Sequence, residues 1–498
     1  MINTKKKFIL ITSSKWFDIF HSILFNFISI PIFLSKWGLE SLALWILFQS
    51  IKSYIFIINI SYKDFVYSEN LKLGIANKKK IVENIYASVI ISILISLLII
   101  CFFYIELKYE ILINYFEINL LGYKDLLFCL FFYTITSAFT NALFPFFSEA
   151  LNIFGFQHFF SWFKTLIKFI IHLSIIISIL IFGTNFKETV INYLIIECIL
   201  FSIFYFFLFK IYIKEKFIFK KINFKNNLIH FYSSIWNLAS NLLDTLSQQG
   251  LRIILNILSG PNVLVVFYSI RVFSNLITQF INSFKEPLLP NLMSYINNRD
   301  LFNIQRSIDI FYILLNLFIF PSIILISLFI DDFFMYWTNN KIKFDFYTYS
   351  ILVTSALINA CSIPHRLIID GNNLVKSKFL SVFYSSLILI FFIFFMHNKL
   401  LIMTFSIGIL IFENVSIIYN FNVINSFLRK KKLILNNNYF FYTLILSYLN
   451  LAFLILIIIF PNYKILIFII YLMKILIFYS KLNILIKSKI KSLIRLKV

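Results

Sequence analysis

Long apolar runs, each closed by a few polar or basic residues, follow one another along almost the whole chain. A membrane helix needs ~20 such residues. Runs of that length fall at 14–35, 39–60, 82–105, 123–147, 160–182, 188–209, 229–251, 262–284, 308–330, 346–368, 378–397, 400–421, 440–460 and 463–484. The pattern predicts about fourteen transmembrane helices and an all-α polytopic membrane protein. The first and seventh runs carry enough polar residues to lower their hydropathy. The N-terminus, MINTKKKF, is basic but has no small-residue cleavage site, so it reads as the flank of the first span.

Two connectors punctuate the series. A basic one, 210–228, follows six spans, and a second, 422–439, follows twelve. The predicted organisation is an N-terminal six-helix bundle (1–209), a cytoplasmic basic connector (210–228), a C-terminal six-helix bundle (229–421) and a terminal helix pair with a basic cytoplasmic tail (422–498). An even number of spans per half makes the halves parallel repeats. Their sequences echo one another faintly, GLESLALW from Gly38 against GPNVLVVF from Gly260.

Composition fits this reading. Of 498 residues 60% are hydrophobic and 13% charged, against about 25% charged in a soluble domain. The formal charge of +23 would suggest nucleic acid if it were not so unevenly spread. With the N-terminus placed inside, 32 Lys and Arg fall in inner segments or at inner span ends, 9 in outer ones or at outer ends, and 4 deeper within spans. That alternation is the positive-inside rule; it places both termini in the cytoplasm and accounts for the charge without nucleic acid. Lys78–Lys80 and Arg429–Lys432 belong to it, as topology signals and lipid-headgroup contacts.

Soluble chemistry has no obvious home here. The chain has no phosphate loop, no GxGxxG, no HExxH and no outer loop long enough to build an active site. Cys101, Cys129, Cys198 and Cys361 all lie in apolar stretches without CxxC spacing, so neither a disulfide framework nor a metal is expected. The reading is of a non-enzyme without cofactor, driven by an ion gradient or by the gradient of its substrate.

Polar residues inside the spans carry the signal. Span seven has Ser233, Asn237, Ser240, Asn241, Asp244 and Gln248; span eight has Arg271, Ser274, Asn275, Thr278, Asn282 and, at its end, Lys285. Span one has Lys15, Asp18, Ser22, Asn26 and Ser29, and span two a thinner set in Ser41, Gln49, Lys52 and Asn59, interrupted by Phe56. At 100° per residue each set forms one stripe. Polar groups facing lipid cost several kcal/mol each, so aligned stripes imply a hydrated cavity or a polar seam. A single Asn or Ser there more often joins helices, whereas Asp244, Lys52 and Arg271 weigh toward function. Lys168 and Lys474 read as structural, His21 as a satisfied core residue, and Glu197 and Glu413 as evenly balanced.

Fourteen spans in two bundles, with polar faces on the first two helices of each, resemble the Wzx-type polysaccharide flippases of the MOP exporter superfamily. The residue pattern that carries the resemblance lies at the opening of each bundle. In the second, an intramembrane Asp244 precedes Gly260-Pro261, Phe267 and Arg271, and then Pro287 and Pro290; the first has SIPIFLSKWGLESLALWILFQS. The chain departs from that pattern at Ala43 and Val265, where the family tends to carry glycine.

The resemblance implies translocation of undecaprenyl-diphosphate-linked oligosaccharide units across the bacterial inner (cytoplasmic) membrane, for O-antigen or other surface polysaccharide. In that reading Lys15, Lys52 and Arg271 attract the diphosphate, while Asn26, Asn241, Gln248 and Asn275 contact sugar hydroxyls. Asp18 and Asp244 hold the basic residues or bind a coupling H+ or Na+. Alternating access would rock one bundle against the other. The implied partners are the lipid bilayer, the lipid-linked oligosaccharide, and a polysaccharide polymerase with its chain-length proteins. Two alternatives stay open: a cation-coupled drug or metabolite antiporter of the same superfamily, and a membrane oligosaccharide polymerase.

Overall fold

The computed structural model describes residues 4–73, 77–110, 122–214, 224–282, 285–372, 374–396 and 401–480. Most of the first basic connector and the basic tail after residue 480 lie outside them. The described residues are helical, with no strand among them. Eleven of their helices are long and apolar enough to cross a membrane, or up to twelve with the bent pair Gly38–Ile55 and Ile57–Asn70. The multi-pass helical fold is therefore as predicted; the count of fourteen is not reached among these residues. Two features lower it. Lys464–Ser480 is 17 residues long where the description ends, and Asn227–Asn282 passes as one stretch of 56.

That stretch is not one rod. The Arg252 guanidinium lies 4.8 Å from the Tyr268 ring, two positions that a straight helix would hold ~24 Å apart. The chain turns back at Gly260, whose φ of 80° favours glycine. Pro261, with its φ fixed near the helical value, starts the return.

The helices gather into two compact units, Met1–Tyr268 and Ser269–Val498. The first holds α1 (Thr4–Lys36), α2 (Gly38–Ile55), α3 (Ile57–Leu73), α4 (Lys78–Tyr109), α5 (Tyr123–Ser137), α6 (Phe144–Leu151), α7 (Gln157–Leu180), α8 (Phe186–Lys214), α9 (Phe224–Ser233), α10 (Ile235–Thr245) and the start of α11 (Leu251–Asn282). On α1, Trp16, Phe20, Leu24 and Ile28 recur every four residues and are exposed, as a lipid-facing stripe would be. The opposite face packs on α7. A reciprocal capping box starts α8: the Glu188 N–H donates to Asn185 Oδ1 (2.9 Å) and the Asn185 N–H to Glu188 Oε2 (3.1 Å). The core is largely aromatic, with Phe144, Phe160 and Phe163 around Phe204.

A π-helical turn, Ala138–Leu143, joins α5 to α6. Such turns displace backbone carbonyls from the regular ladder, and in lipid those groups need partners. Here side chains supply them: the Tyr205 hydroxyl donates to the Phe139 carbonyl (2.7 Å) and Ser92 Oγ to that of Ala142 (3.1 Å).

The second unit continues α11 and adds α12 (Lys285–Asn297), α13 (Leu301–Leu314), α14 (Phe320–Ser327), α15 (Ile330–Trp337), α16 (Phe346–Gly371), α17 (Val375–Met396), α18 (Leu401–Lys430), α19 (Asn438–Ile459) and α20 (Lys464–Ser480). Asp300 caps α13 by accepting from the backbone N–H of Asn303 (3.1 Å). Bonds from the Asn303 side chain and backbone hold the Asp300 carboxyl below the usual carboxylate range. The centre of the unit is α16, sheathed by α12, α17, α18 and α19. Its Ser, Thr and Ala residues let neighbouring backbones come close, and Met293 of α12 lies over Gly371, where any side chain would collide with it.

Candidate functional site

The polar interior of the first unit forms two groups. At α1 and α7, Lys168 Nζ sits 2.9 Å from Asp18 Oδ1 and 2.9 Å from Ser22 Oγ. One turn on, His21 is buried and donates from Nδ1 to the Phe17 carbonyl (2.9 Å). Its ring lies 5.2 Å from that of His172, which in turn stacks on Phe25 at 3.9 Å. Part of the first stripe is thus a seam between α1 and α7, with Lys168 and Asp18 an exposed pair along it and His21 a core residue. Lys15 and Asn26, of the same stripe, are half-buried.

The second group surrounds Lys52. This residue is on α2, one turn before the chain bends by 43° at Phe56. Neither Pro nor Gly causes the bend; the buried Phe56 ring is held edge-on against Tyr133, 6.4 Å between centroids. Lys52 Nζ lies 4.9 Å from the Tyr133 ring centroid and 5.2 Å from that of Tyr193, and donates to the Tyr193 hydroxyl (3.4 Å). Tyr193 and Glu197 are one turn apart on α8, so they share a face. Glu197 is 7% exposed, and Thr140 of the π-helical turn donates to its Oε1 (3.4 Å). Tyr133, Thr140 and Tyr193 escaped the sequence reading. The isolated carboxylate of Glu197 in an apolar helix was the available signal for this cluster.

Spans two and seven meet beyond the bend. Asn241 Nδ2 of α10 donates to Ser61 Oγ of α3 (2.9 Å), and Asn59 to Ser96 Oγ of α4 (3.2 Å). Gln248, half-buried, lies in the π-helical turn Leu246–Gly250. There Gly250 allows the close approach of the Tyr54 hydroxyl, an oxygen that a side chain at this position would strike. Gly250→Ala is expected to lower stability by ~1–3 kcal/mol, as overpacking does. Thermal unfolding of the purified protein checks it, and the same loss in a Tyr54→Phe background would remove the Tyr54 contact as the cause. Asp244, by contrast, is exposed. An apolar cleft of about 440 Å³ opens beside the bend, lined by Ile55, Ile58, Ile95, Leu98, Phe102 and Phe231.

In the second unit Arg271 is 3% exposed, and Asn275, one turn on, is half-buried. Near them Phe273 packs against Phe334, Trp337 and Tyr349. Deeper lies a network that sequence reading did not assemble. Glu413 of α18, almost fully buried, takes Arg366 Nη2 at 2.9 Å on Oε2 and Asn359 Nδ2 at 2.8 Å on Oε1. Arg366 also donates to Ser416 Oγ (3.1 Å). No group of His, Cys, Asp and Glu among the described residues has metal-site geometry.

No protein-family profile and no curated protein matches this sequence. Solved structures do match it. One is the lipid II flippase MurJ in an inward closed conformation: TM-score 0.64 at 16% identity, covering 95% of this chain and 99% of that one. Another is an outward-facing multidrug resistance MATE family transporter of the MOP superfamily: 0.61 at 15%, covering 86% and 97%. A third is a MOP superfamily transporter from Pyrococcus furiosus, described as having a binding pocket of reverse polarity: 0.57 at 13%, covering 84% and 94%. The chain shares the fold of the MOP superfamily transporters, drug exporters and a lipid flippase among them.

Proposed function

We propose that this protein flips undecaprenyl-diphosphate-linked oligosaccharide units across the bacterial inner membrane for surface polysaccharide synthesis. The observation that carries the reading is Arg271: a buried guanidinium within an apolar helix, on a stripe with Ser274, Asn275 and Thr278. A planar fork of donors suits a diphosphate, and hydroxyl and amide side chains suit a sugar. Lys15 adds positive charge, and Asn26, Asn241 and Gln248 add hydrogen-bonding groups. The apolar cleft beside Phe56 offers room for part of a lipid tail.

The test is flipping by the purified chain in liposomes, using a polyprenyl-diphosphate sugar whose outward arrival is read with an impermeant lectin or enzyme. Transfer above that of empty liposomes is the expected result. Export of a cationic dye without transfer of the lipid would replace this reading with the antiporter.

A further inference from the structure

The second unit buries an acid that sequence reading passed over. Asp309 lies on α13, one turn beyond Gln305, and is 7% exposed. Its hydrogen-bond partner among the described residues is the Gln305 side chain, whose Nε2 donates to Oδ1 (2.7 Å). The orientation of that amide is fixed from its other side. Asn436, in the connector between α18 and α19, donates its backbone N–H to Gln305 Oε1 (2.7 Å), and its carbonyl accepts from Nε2 (2.7 Å). The amide oxygen is thus turned to the connector, and of the two N–H groups one serves Asn436 and the other Asp309.

The neighbours bring no cation to this carboxyl. Arg306, three residues before Asp309, forms no ion pair with it among the described residues. Of the helices packed on α13, α19 has tyrosine as its one titratable type, and α12 has Tyr295 besides Lys285 and Glu286 at its start. On α16, His365 packs against Phe421 and Phe440, and Arg366 is taken by Glu413. Lys431 of the connector lies over the Phe427 ring, and Lys432 is exposed. Tyr312, one turn on, donates its hydroxyl to the Cys361 carbonyl (3.1 Å).

An ionised carboxylate buried among neutral groups is costly, and such a group takes up a proton instead. Gln305 suits the neutral acid, because Oδ1 accepts in either state and the other oxygen is left for the proton. It does not suit a metal ion, which needs several oxygens and is repelled by an N–H. We propose that Asp309 is a proton-binding site, its carboxyl neutral while Gln305 and the Asn436 connector cover it. Gln305 is half-buried and Asn436 exposed, so the proton has a short route to water. The inference does not depend on which substrate is carried, and its test uses none.

The experiment is infrared spectroscopy of the purified full chain in detergent, reading the carbonyl stretch of protonated carboxylic acids at neutral pH. Wild type minus Asp309→Asn should show one such band, and raising the pH should abolish it. Gln305→Met should keep the band and move it to higher frequency, because the acid carbonyl loses its donor. Thermal unfolding gives a second readout. A carboxyl neutral in the folded chain and ionised in the unfolded one adds stability that is full at low pH and is lost as pH rises. The melting temperature of wild type relative to Asp309→Asn should therefore fall by about 2 °C or more as pH is raised. A difference spectrum without the band at neutral pH would overturn the proposal, as would relative melting temperatures that ignore pH. Stabilisation of wild type by sodium that Asp309→Asn removes would replace the proton with a metal ion. Asn matches the shape of the neutral acid and offers Gln305 the same acceptor. Failure of Asp309→Asn to accumulate would therefore show that the carboxyl is needed charged, and would sink the idea.

Discussion

Arg271→Ala should abolish delivery of lipid-linked oligosaccharide while leaving the protein at its normal level in the membrane. Losing a buried charged contact to a ligand costs ~2–5 kcal/mol, so transport should fall by at least about 30-fold. Arg271→Lys keeps the charge but not the planar fork and should retain part of the rate. Insertion is not threatened, because an arginine at a helix centre itself costs ~2.5–3.5 kcal/mol on insertion scales. Surface polysaccharide in a complemented deletion strain, read beside an immunoblot of the membrane fraction, measures both quantities. Normal polymer from a stable Arg271→Ala protein would remove the diphosphate role.

Glu413→Ala should have the largest effect on stability. Removing one partner of a buried ion pair costs ~3–5 kcal/mol, because the other charge stays behind. Here Arg366 and Asn359 would both lose an acceptor. The Arg366 side chain remains 25% exposed, so water softens the loss and the lower end of that range is expected. Glu413→Gln, which keeps an acceptor oxygen, should lose less. Adding Arg366→Met to Glu413→Ala should recover much of the difference, since a well-packed apolar pair replaces an ionic one at little cost. Unfolding temperatures of the four proteins in one detergent give the comparison. A double variant no better than the single would mean that Glu413 acts through something other than its charge.

What was legible in the sequence follows from the range of the forces involved. Apolar runs must span the bilayer whatever surrounds them, so helices appear in the hydropathy directly. The Gly260-Pro261 turn is local chemistry and was legible too. Pairings between distant helices were not. Asp18 with Lys168, Lys52 with Tyr193 and Arg366 with Glu413 each join residues far apart in the chain. A stripe tells which face of a helix is polar and not which neighbour meets it, so Asn241 read as cavity lining and Ser61 went unremarked. The π-helical turns leave no strong trace, since Ala138–Leu143 contains neither Gly nor Pro. Nor does the moderate hydropathy of α16 distinguish a helix wrapped in protein from one that merely touches lipid less.

The wrapping of α16 also has a temporal side. Of the four helices that sheathe it, α12 precedes it in the chain while α17, α18 and α19 are translated after it. On leaving the ribosome α16 therefore carries Ser350, Thr354, Asn359, Ser362 and His365 without the neighbours that bury them in the finished protein. Polar residues weaken the partition of a nascent helix into lipid. Glu413, which Asn359 and Arg366 will bond, arrives only with α18. The second unit is thus closed by its later helices, and the nascent chain passes through an interval in which its most polar long helix stands uncovered.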